Sequence, residues 1–600
     1  MNFLILKEVK GVLVVLENKM NIQQKIKDWI KEALKIDGDF VLAHPKDIKN
    51  GDYSFFNHSP KTENDLVEVL NKNKISEIDR IEVAGKFINF YLAKEFFVKS
   101  VEEINKQKEN FGKNNLLLDQ LSSAKGFGEP RKIIIEYTNT NVLKPMHIGH
   151  LMGNVIGESI SRIIESNGAE VKRNTYEGDV GLHIAKALWG ILKLGGIIDG
   201  NISDKAKYIG EAYALGANGY EDDESIQKEI IEINKKLYEK SDEELLKTYE
   251  WGRKVSLDHF EELYKKLGTK FDFYFFESEI AEESLKIIKE FLKKGLFEES
   301  DGAIVFKGEK FNPKLHTRVF VTKQGLPTYE AKDIAHAIRK YNEYKSDKSI
   351  IITANEQNEY FKVMLEALKE IKPAIANQTE HISHGMLNLT TGKMSSRKGN
   401  IITGESLIMD VESLINEKIK ERDFSDAEKD TISEIVAIGA IKYSILRQAT
   451  GGDIVFDFDK SISFEGDSGP YLQYTCVRAN SVLEKAREVS RFDLDMSKSD
   501  FDTLKNWETT ELERYLYRFP EVVERAGAEY APHYLVTYLT ELASVFNRFY
   551  ANNRIIDLNP ALSEQSESNG SPYKIALTQA VAHILKSGLY LLGIKVPERM

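Results

Sequence analysis

Apolar residues fall along the chain in two rhythms. Residues 132–137 form an unbroken β-branched and aromatic run around one carboxylate, as expected of a strand buried in a parallel sheet. A turn-rich stretch follows, to Pro145. From His147 the spacing changes. Ile148, Leu151, Met152, Val155, Ile156, Ser159, Ile160, Ile163 and Ile164 recur at three and four residues, which predicts a helix. Strands are predicted again at 171–176 and 349–353. Residues 185–260 are helical in pattern and charged, and read as an insertion between the halves of a nucleotide fold. Pro327 opens another helix, 328–341. Beyond 406 the chain is helical, with helices predicted near 509–526, 530–550 and 572–592. The stretch 552–570, rich in Asn, Ser and Glu, reads as a loop.

At the N-terminus, residues 3–16 are apolar but broken by Lys7, Glu8 and Lys10. They are too short and interrupted for a signal peptide and lack a small-residue cleavage site. Residues 1–19 are therefore expected to be an extension, possibly untranslated, with Met20 the start; the alternative is a short extra strand. A cleaner helix begins at Met20, with Ile22, Ile26, Trp29, Ile30, Ala33 and Leu34 on one face. Residues 20–112 read as a small α/β unit. In it Phe87, Asn89 and Tyr91 alternate along a strand and share a face able to stack on an unpaired base.

Bulk properties narrow the class. A chain of 600 residues exceeds one core, so several domains are expected. The single cysteine, Cys476, excludes a disulfide framework and a Cys-based zinc site, and fits a reducing cytoplasm. No apolar stretch approaches the ~20 residues of a membrane span. A net charge of -12 leaves nucleic-acid contact to local basic patches.

Two segments carry chemistry. His147-Ile148-Gly149-His150 lies where the strand-and-turn pattern gives way to the helix. A helix N-terminus attracts phosphate, Gly149 admits a base or ribose, and the histidines can donate to phosphate oxygens. Residues 393–398, Lys393-Met394-Ser395-Ser396-Arg397-Lys398, form a cationic stretch between glycines that suits a loop closing on a polyphosphate. Glu136 ends the strand before the histidines, where open parallel sheets bind ligands. Tyr329 and Asp333 stand at i and i+4 on one helical face, and Gln357 lies just past a predicted strand. Such a set of carboxylates, phenol and amide could converge on a planar guanidinium, but spacing alone favours an ordinary exposed helical pair for Tyr329 and Asp333.

Together, in this order, the two segments resemble the nucleotide signatures of class I aminoacyl-tRNA synthetases, and the residues around them resemble the arginyl-tRNA synthetases. The resemblance covers residues 20–600. It implies an α/β chain: a class I Rossmann-like catalytic domain at 113–405, an N-terminal α/β added domain at 20–112, a helical stem at 406–468 and an all-α anticodon-binding domain at 469–600. It implies arginine–tRNA ligation with ATP as substrate, Mg²⁺ travelling with the nucleotide and no protein-bound zinc. Implied arginine ligands are Glu136, Asn141, His147, Tyr329, Asp333 and Gln357. ATP would meet His147, Gly149, His150, Lys393, Met394, Ser395 and Ser396. Ser396 departs from the class, which places a Lys there; Lys144, just before the histidines, can supply that charge beside Lys393, Arg397 and Lys398. Val180 and His183 also depart, standing where the family has an aromatic residue and a Gln. Implied tRNA contacts are Phe87, Asn89 and Tyr91 at the elbow, then Tyr471, Tyr474, Arg478, Asn547, Tyr550 and Met600 at the anticodon. The family also usually needs bound tRNA to activate arginine. A cytoplasmic monomer is expected. A small-molecule nucleotidyltransferase would not need the helical C-terminal domain. A non-catalytic tRNA-binding relative would lose the His pair or the basic loop.

Overall fold

Five parallel strands form the centre of the molecule, in the order Phe273–Phe276, Glu170–Glu177, Lys132–Glu136, Lys348–Ala354 and Thr379–His384. The computed structural model describes residues 6–9, 12–15, 21–59, 61–119, 129–390, 403–489, 504, 507–556 and 571–600. The central strand is the first of the five in the chain, and its Ile133, Ile134 and Ile135 are fully buried. Chain order reverses between it and Lys348–Ala354, which opens a crevice beyond the carboxyl ends of the strands. Register holds Asn174 and Ile351 level with Glu136 at that edge.

The helix Ile148–Ser166 follows the central strand and is buried along nearly its whole length. A helix buried all round must be covered on every side. The sheet covers one side, and helices of the C-terminal half cover the others. One continuous core therefore runs from Ile133 and Ile135 through this helix to Leu585 and Ile594.

The helical insertion comprises Leu182–Lys193, Ile202–Asp222, Glu224–Glu239 and Glu243–Leu267. Its first two helices cross with backbones almost touching. A Cβ on Gly190 would stand 2.0 Å from the Ala212 carbonyl oxygen, and one on Gly216 2.0 Å from that of Lys186. After the third strand an antiparallel sheet, Glu298–Ser300, Ala303–Lys307 and Thr317–Val321, packs its Phe306 and Phe320 against Phe297 and leads into the helix Tyr329–Glu343.

The N-terminal unit is a four-stranded sheet ordered Leu42–Ala43, Tyr53–Phe56, Phe87–Leu92 and Ile78–Ala84, with helices Ile22–Leu34, Glu63–Lys72 and Lys94–Gln107. Tyr517, from the C-terminal half, completes its core. Ahead of it, Leu6–Val9 and Val12–Val15 form an antiparallel pair. The single helix expected near 509–526 is two, Glu511–Leu516 and Phe519–Ala528. Pro520 opens the second, since it offers no N–H and its ring would clash with the carbonyl one turn back. The longer C-terminal helices are Gly404–Ile419, Asp426–Leu446, Gly469–Val489, His533–Asn552 and Ser571–Leu591.

Past the last helix the chain turns at Gly593, where φ is +70°, and its carbonyls are collected by side chains from elsewhere. Arg162 donates to the Tyr590 carbonyl at 2.9 Å and Ser159 to that of Leu591 at 3.0 Å, both from the helix Ile148–Ser166. Buried Lys442 donates to the carbonyls of Gly593 and Leu267, each at 2.6 Å, and Gln473 to that of Lys595 at 2.7 Å.

Candidate active site

The turn between the central strand and its helix is strained. Thr138, Asn139 and Leu143 take left-handed φ angles of 75°, 51° and 56°. Non-glycine residues in that region cost energy and persist only where surroundings enforce them. Asn141 forms a parallel bridge to Gly178, and any Cβ on Gly178 would stand 2.3 Å from the Asn141 Oδ1. At the helix start the rings of His147 and His150 stack with centroids 3.5 Å apart. The His147 N–H donates to His150 Nδ1 at 3.3 Å, so His150 carries its own proton on Nε2. Burial, aided by Lys144, pushes His147 down to about 4, and burial with His147 and Lys144 drives His150 well below the usual histidine range. Both are neutral donors at pH 7. The charge of this turn belongs to Lys144, whose ammonium lies 5.4 Å from the Tyr213 ring centroid.

Beyond the strand ends lies an acidic pocket. Glu136 Oε2 accepts from His336 Nε2 and Lys340 Nζ, both at 2.7 Å, and from Asn174 at 3.2 Å; among the described residues Oε1 accepts only from Asn139. Despite burial, Lys340 and His336 hold this carboxyl well below the usual carboxylate range. Glu277 pairs with Lys332, and both are buried. Asp333 accepts a hydrogen bond from the Tyr360 hydroxyl. Burial, with Glu136 and Glu277 nearby, pushes its carboxyl up to about 7. Of these three carboxylates, Glu277 and Glu136 face a lysine at salt-bridge distance, and among the described residues Asp333 does not, so it lacks a compensating cation. The Tyr176 ring stacks on His336 at 4.0 Å, and its buried hydroxyl has no partner among the described residues. Tyr329 stands at the rim, 55% exposed. Gln357 is exposed on the short turn Asn355–Gln357 that follows Lys348–Ala354.

A second cluster lies on the C-terminal helices. Asn547 Nδ2 donates to the Tyr471 hydroxyl and to Thr475, both at 3.0 Å, while its Oδ1 accepts from Arg478 at 2.7 Å. The Arg478 guanidinium lies 4.7 Å from the Tyr474 ring and 5.4 Å from that of Tyr550, which is 40% exposed. One guanidinium thus sits between two aromatic faces. Met600 packs against the main core. On the N-terminal sheet, Phe87 is exposed and packs edge-to-face on Phe56. Asn89 is buried and accepts from Ser54, and Tyr91 is buried beneath Arg80, its hydroxyl beside Lys49 and Glu82. Lys393, Met394, Ser395, Ser396, Arg397 and Lys398 lie outside the described residues.

Residues 113–458 match the family model for tRNA synthetases class I (R), catalytic domain. The chain belongs to the class I arginyl-tRNA synthetases. Residues 472–600 match the DALR anticodon binding domain. An arginine–tRNA ligase of Limosilactobacillus reuteri is 32% identical over 575 residues, 93% of this chain and 95% of its own. One of Borrelia hermsii is 29% identical over 616 residues, all of both chains. The arginyl-tRNA synthetase of Thermus thermophilus has the same fold, with a TM-score of 0.74 at 23% identity, covering 96% of this chain and 100% of its own. That of Plasmodium falciparum gives 0.73 at 20%, covering 97% and 99%. The chain is therefore an enzyme, an aminoacyl-tRNA ligase of the arginine family. Among the described residues no helix is long and apolar enough to cross a membrane.

Structure brings Glu136, Asp333 and Tyr329 to one pocket, and Lys144, His147 and His150 to the adjoining turn. It adds Tyr176, Glu277, Lys332, His336, Lys340 and Tyr360, which sequence reasoning did not find. A signal for two of these was present. His336 and Lys340 continue the spacing of Tyr329 and Asp333 along the same helix, at i+7 and i+11.

Proposed function

We propose that this enzyme condenses L-arginine with ATP to arginyl-adenylate and passes the arginyl group to the terminal adenosine of tRNA(Arg). The observation that carries the choice of arginine is Asp333, a half-buried carboxylate with no lysine or arginine at salt-bridge distance among the described residues. Asp333 and Tyr329 receive the guanidinium, and Glu136 adds its less occupied Oε1. A guanidinium is planar and donates from several nitrogens, which suits acceptors arrayed around a slot better than a lysine's point charge does. Asn141, Gln357 and His147 hold the α-amino and carboxylate end. The arginine carboxylate attacks the α-phosphorus in line, the bond to the β-phosphate oxygen breaks, and pyrophosphate leaves. His147 and His150 donate to the phosphate oxygens as neutral imidazoles, with Gly149 leaving room for the nucleotide. Lys144 supplies positive charge, joined by Lys393, Arg397 and Lys398, and Met394, Ser395 and Ser396 are assigned to ATP by the family resemblance. Mg²⁺ travelling with ATP would add charge neutralisation at the phosphates. The 2′-hydroxyl of the terminal adenosine then attacks the acyl carbon and AMP leaves. No protein nucleophile takes part, so rate comes from positioning and electrostatics.

In this reading the N-terminal unit meets the tRNA elbow through Phe87, with Asn89 and Tyr91 shaping the face beneath it. Tyr471, Tyr474, Arg478, Asn547, Tyr550 and Met600 meet the anticodon. A monomer acting in the cytoplasm suits these parts. Pyrophosphate exchange with each amino acid, with and without tRNA, tests the proposal. Exchange is expected with arginine and not with lysine; preference for another amino acid would overturn it.

A further inference from the structure

We infer that the helical insertion clamps the nucleotide-facing turn, and that Tyr213 and Ser256 are positioning residues for Lys144. The inference rests on the reading of Lys144 as the charge that meets phosphate. Contacts converge on three successive residues of the turn. Leu143 is buried and held at a φ of 56°, where a branched residue does not stay unaided. Its N–H donates to Ser256 Oγ at 2.9 Å, and that hydroxyl donates onward to the Gly252 carbonyl at 2.9 Å. The Leu143 side chain fills the space a Cβ on Gly252 would take, with Cδ2 3.0 Å from it. Both partners lie on the helix Glu243–Leu267. Pro145 is met by Gly210, whose Cβ would stand 3.1 Å from the proline ring, on the helix Ile202–Asp222 that packs against Glu243–Leu267. Between these, the Lys144 ammonium lies over the ring of Tyr213, which shares the helix Ile202–Asp222 with Gly210.

The choice of an aromatic partner has a consequence. A carboxylate would fix Lys144 equally well but would neutralise it. An aromatic face attracts the ammonium and leaves its charge available to a phosphate. Among the described residues, no carboxylate lies at salt-bridge distance from Lys144, and Lys186 on the first insertion helix is the neighbouring charge that acts on it. The insertion thus sets where the cation points without consuming it.

The test is single-turnover adenylation by the full chain with tRNA, across arginine concentrations, with Lys144→Ala as reference. Tyr213→Leu is expected to slow adenylation about tenfold, as for loss of a partly desolvated cation–π contact, with half-saturating arginine unchanged. Tyr213→Phe keeps the ring and is expected to stay within about twofold of wild type. Ser256→Ala frees the Leu143 N–H and is expected to slow the same step about fivefold, again without moving half-saturating arginine. Leu215→Ala, exposed on the Tyr213 helix, is expected to change nothing. Wild-type rates in Tyr213→Leu and Ser256→Ala, beside a slow Lys144→Ala, would overturn the clamp while leaving the role of Lys144 standing. Equal losses in Tyr213→Phe and Tyr213→Leu would overturn it too. If Tyr213→Leu does not fold, the Ser256→Ala rate decides. A wild-type rate in Lys144→Ala overturns the underlying reading, and the clamp with it.

Discussion

Asp333 and Glu136 are both carboxylates at the same edge of the pocket, yet their protons are held in opposite senses. Glu136 touches Lys340 and His336 and stays ionised. Asp333 touches a phenol, and burial lifts it to about 7. Arginine can neutralise only the ionised form, so a protonated Asp333 must lose its proton on binding. The sign follows: above pH 7 arginine affinity is flat, and below it affinity falls by up to about tenfold per pH unit. Calorimetry at pH 6, 7 and 8 checks this, and an affinity that does not weaken below 7 would refute it. Asp333→Asn is expected to remove the slope and weaken arginine binding by about 2–5 kcal/mol, with ATP binding nearly intact. Lys144 makes a different demand. Lys144→Ala is expected to slow adenylation about 100-fold through kcat rather than KM, the scale of one preorganised electrostatic contact. Lys introduced at Ser396 in that variant is expected to recover part of the rate.

Legibility of the elements in the sequence followed burial. Strands expected at 132–137, 171–176 and 349–353 lie on Lys132–Glu136, Glu170–Glu177 and Lys348–Ala354, which are the inner strands of the sheet. In Lys132–Glu136 and Lys348–Ala354 burial on both faces gives isoleucine runs that can be read directly, whereas Glu170–Glu177 carries mostly polar residues and is not such a run. The two edge strands, Phe273–Phe276 and Thr379–His384, were not legible. Phe273–Phe276 is four aromatic residues, too short a run to be told by period from a piece of core helix, and Thr379–His384 is only partly buried and mixes polar residues with one isoleucine. Much of the pocket followed the same rule. Tyr329 and Asp333 could be paired by helical spacing, whereas Glu277 and Lys332 stand 55 positions apart and meet only through the fold. The insertion illustrates how helices can be read without their packing. Its helical character was evident, but the contact of Gly190 and Gly216 with opposing backbones was not. Gly216→Ala is expected to push these helices apart and cost about 1–3 kcal/mol. A melt unchanged from wild type would show that the crossing tolerates a methyl group.

At the scale of the whole molecule, two family modules share one interior. The core that holds Ile133 also holds Leu585, and Tyr517 belongs to the core of the N-terminal sheet. Denaturation is therefore expected to be one transition, with tryptophan fluorescence and adenylation activity lost together; two separated midpoints would show independent units. Lys442 sits where the parts join, and Lys442→Ala would leave the Leu267 and Gly593 carbonyls unpaired beside a cavity. About 3 kcal/mol of stability should be lost, measured by denaturant titration. The chain's last turn carries a further consequence, one that concerns inheritance. Its carbonyls fit donors encoded far upstream, Ser159 and Arg162 among them. A crossover that joined the catalytic half of one relative to the anticodon half of another would deliver those donors to a backbone set at a different height. Ser159 and Arg162 must therefore be inherited together with the shape of the tail, although more than four hundred positions separate them.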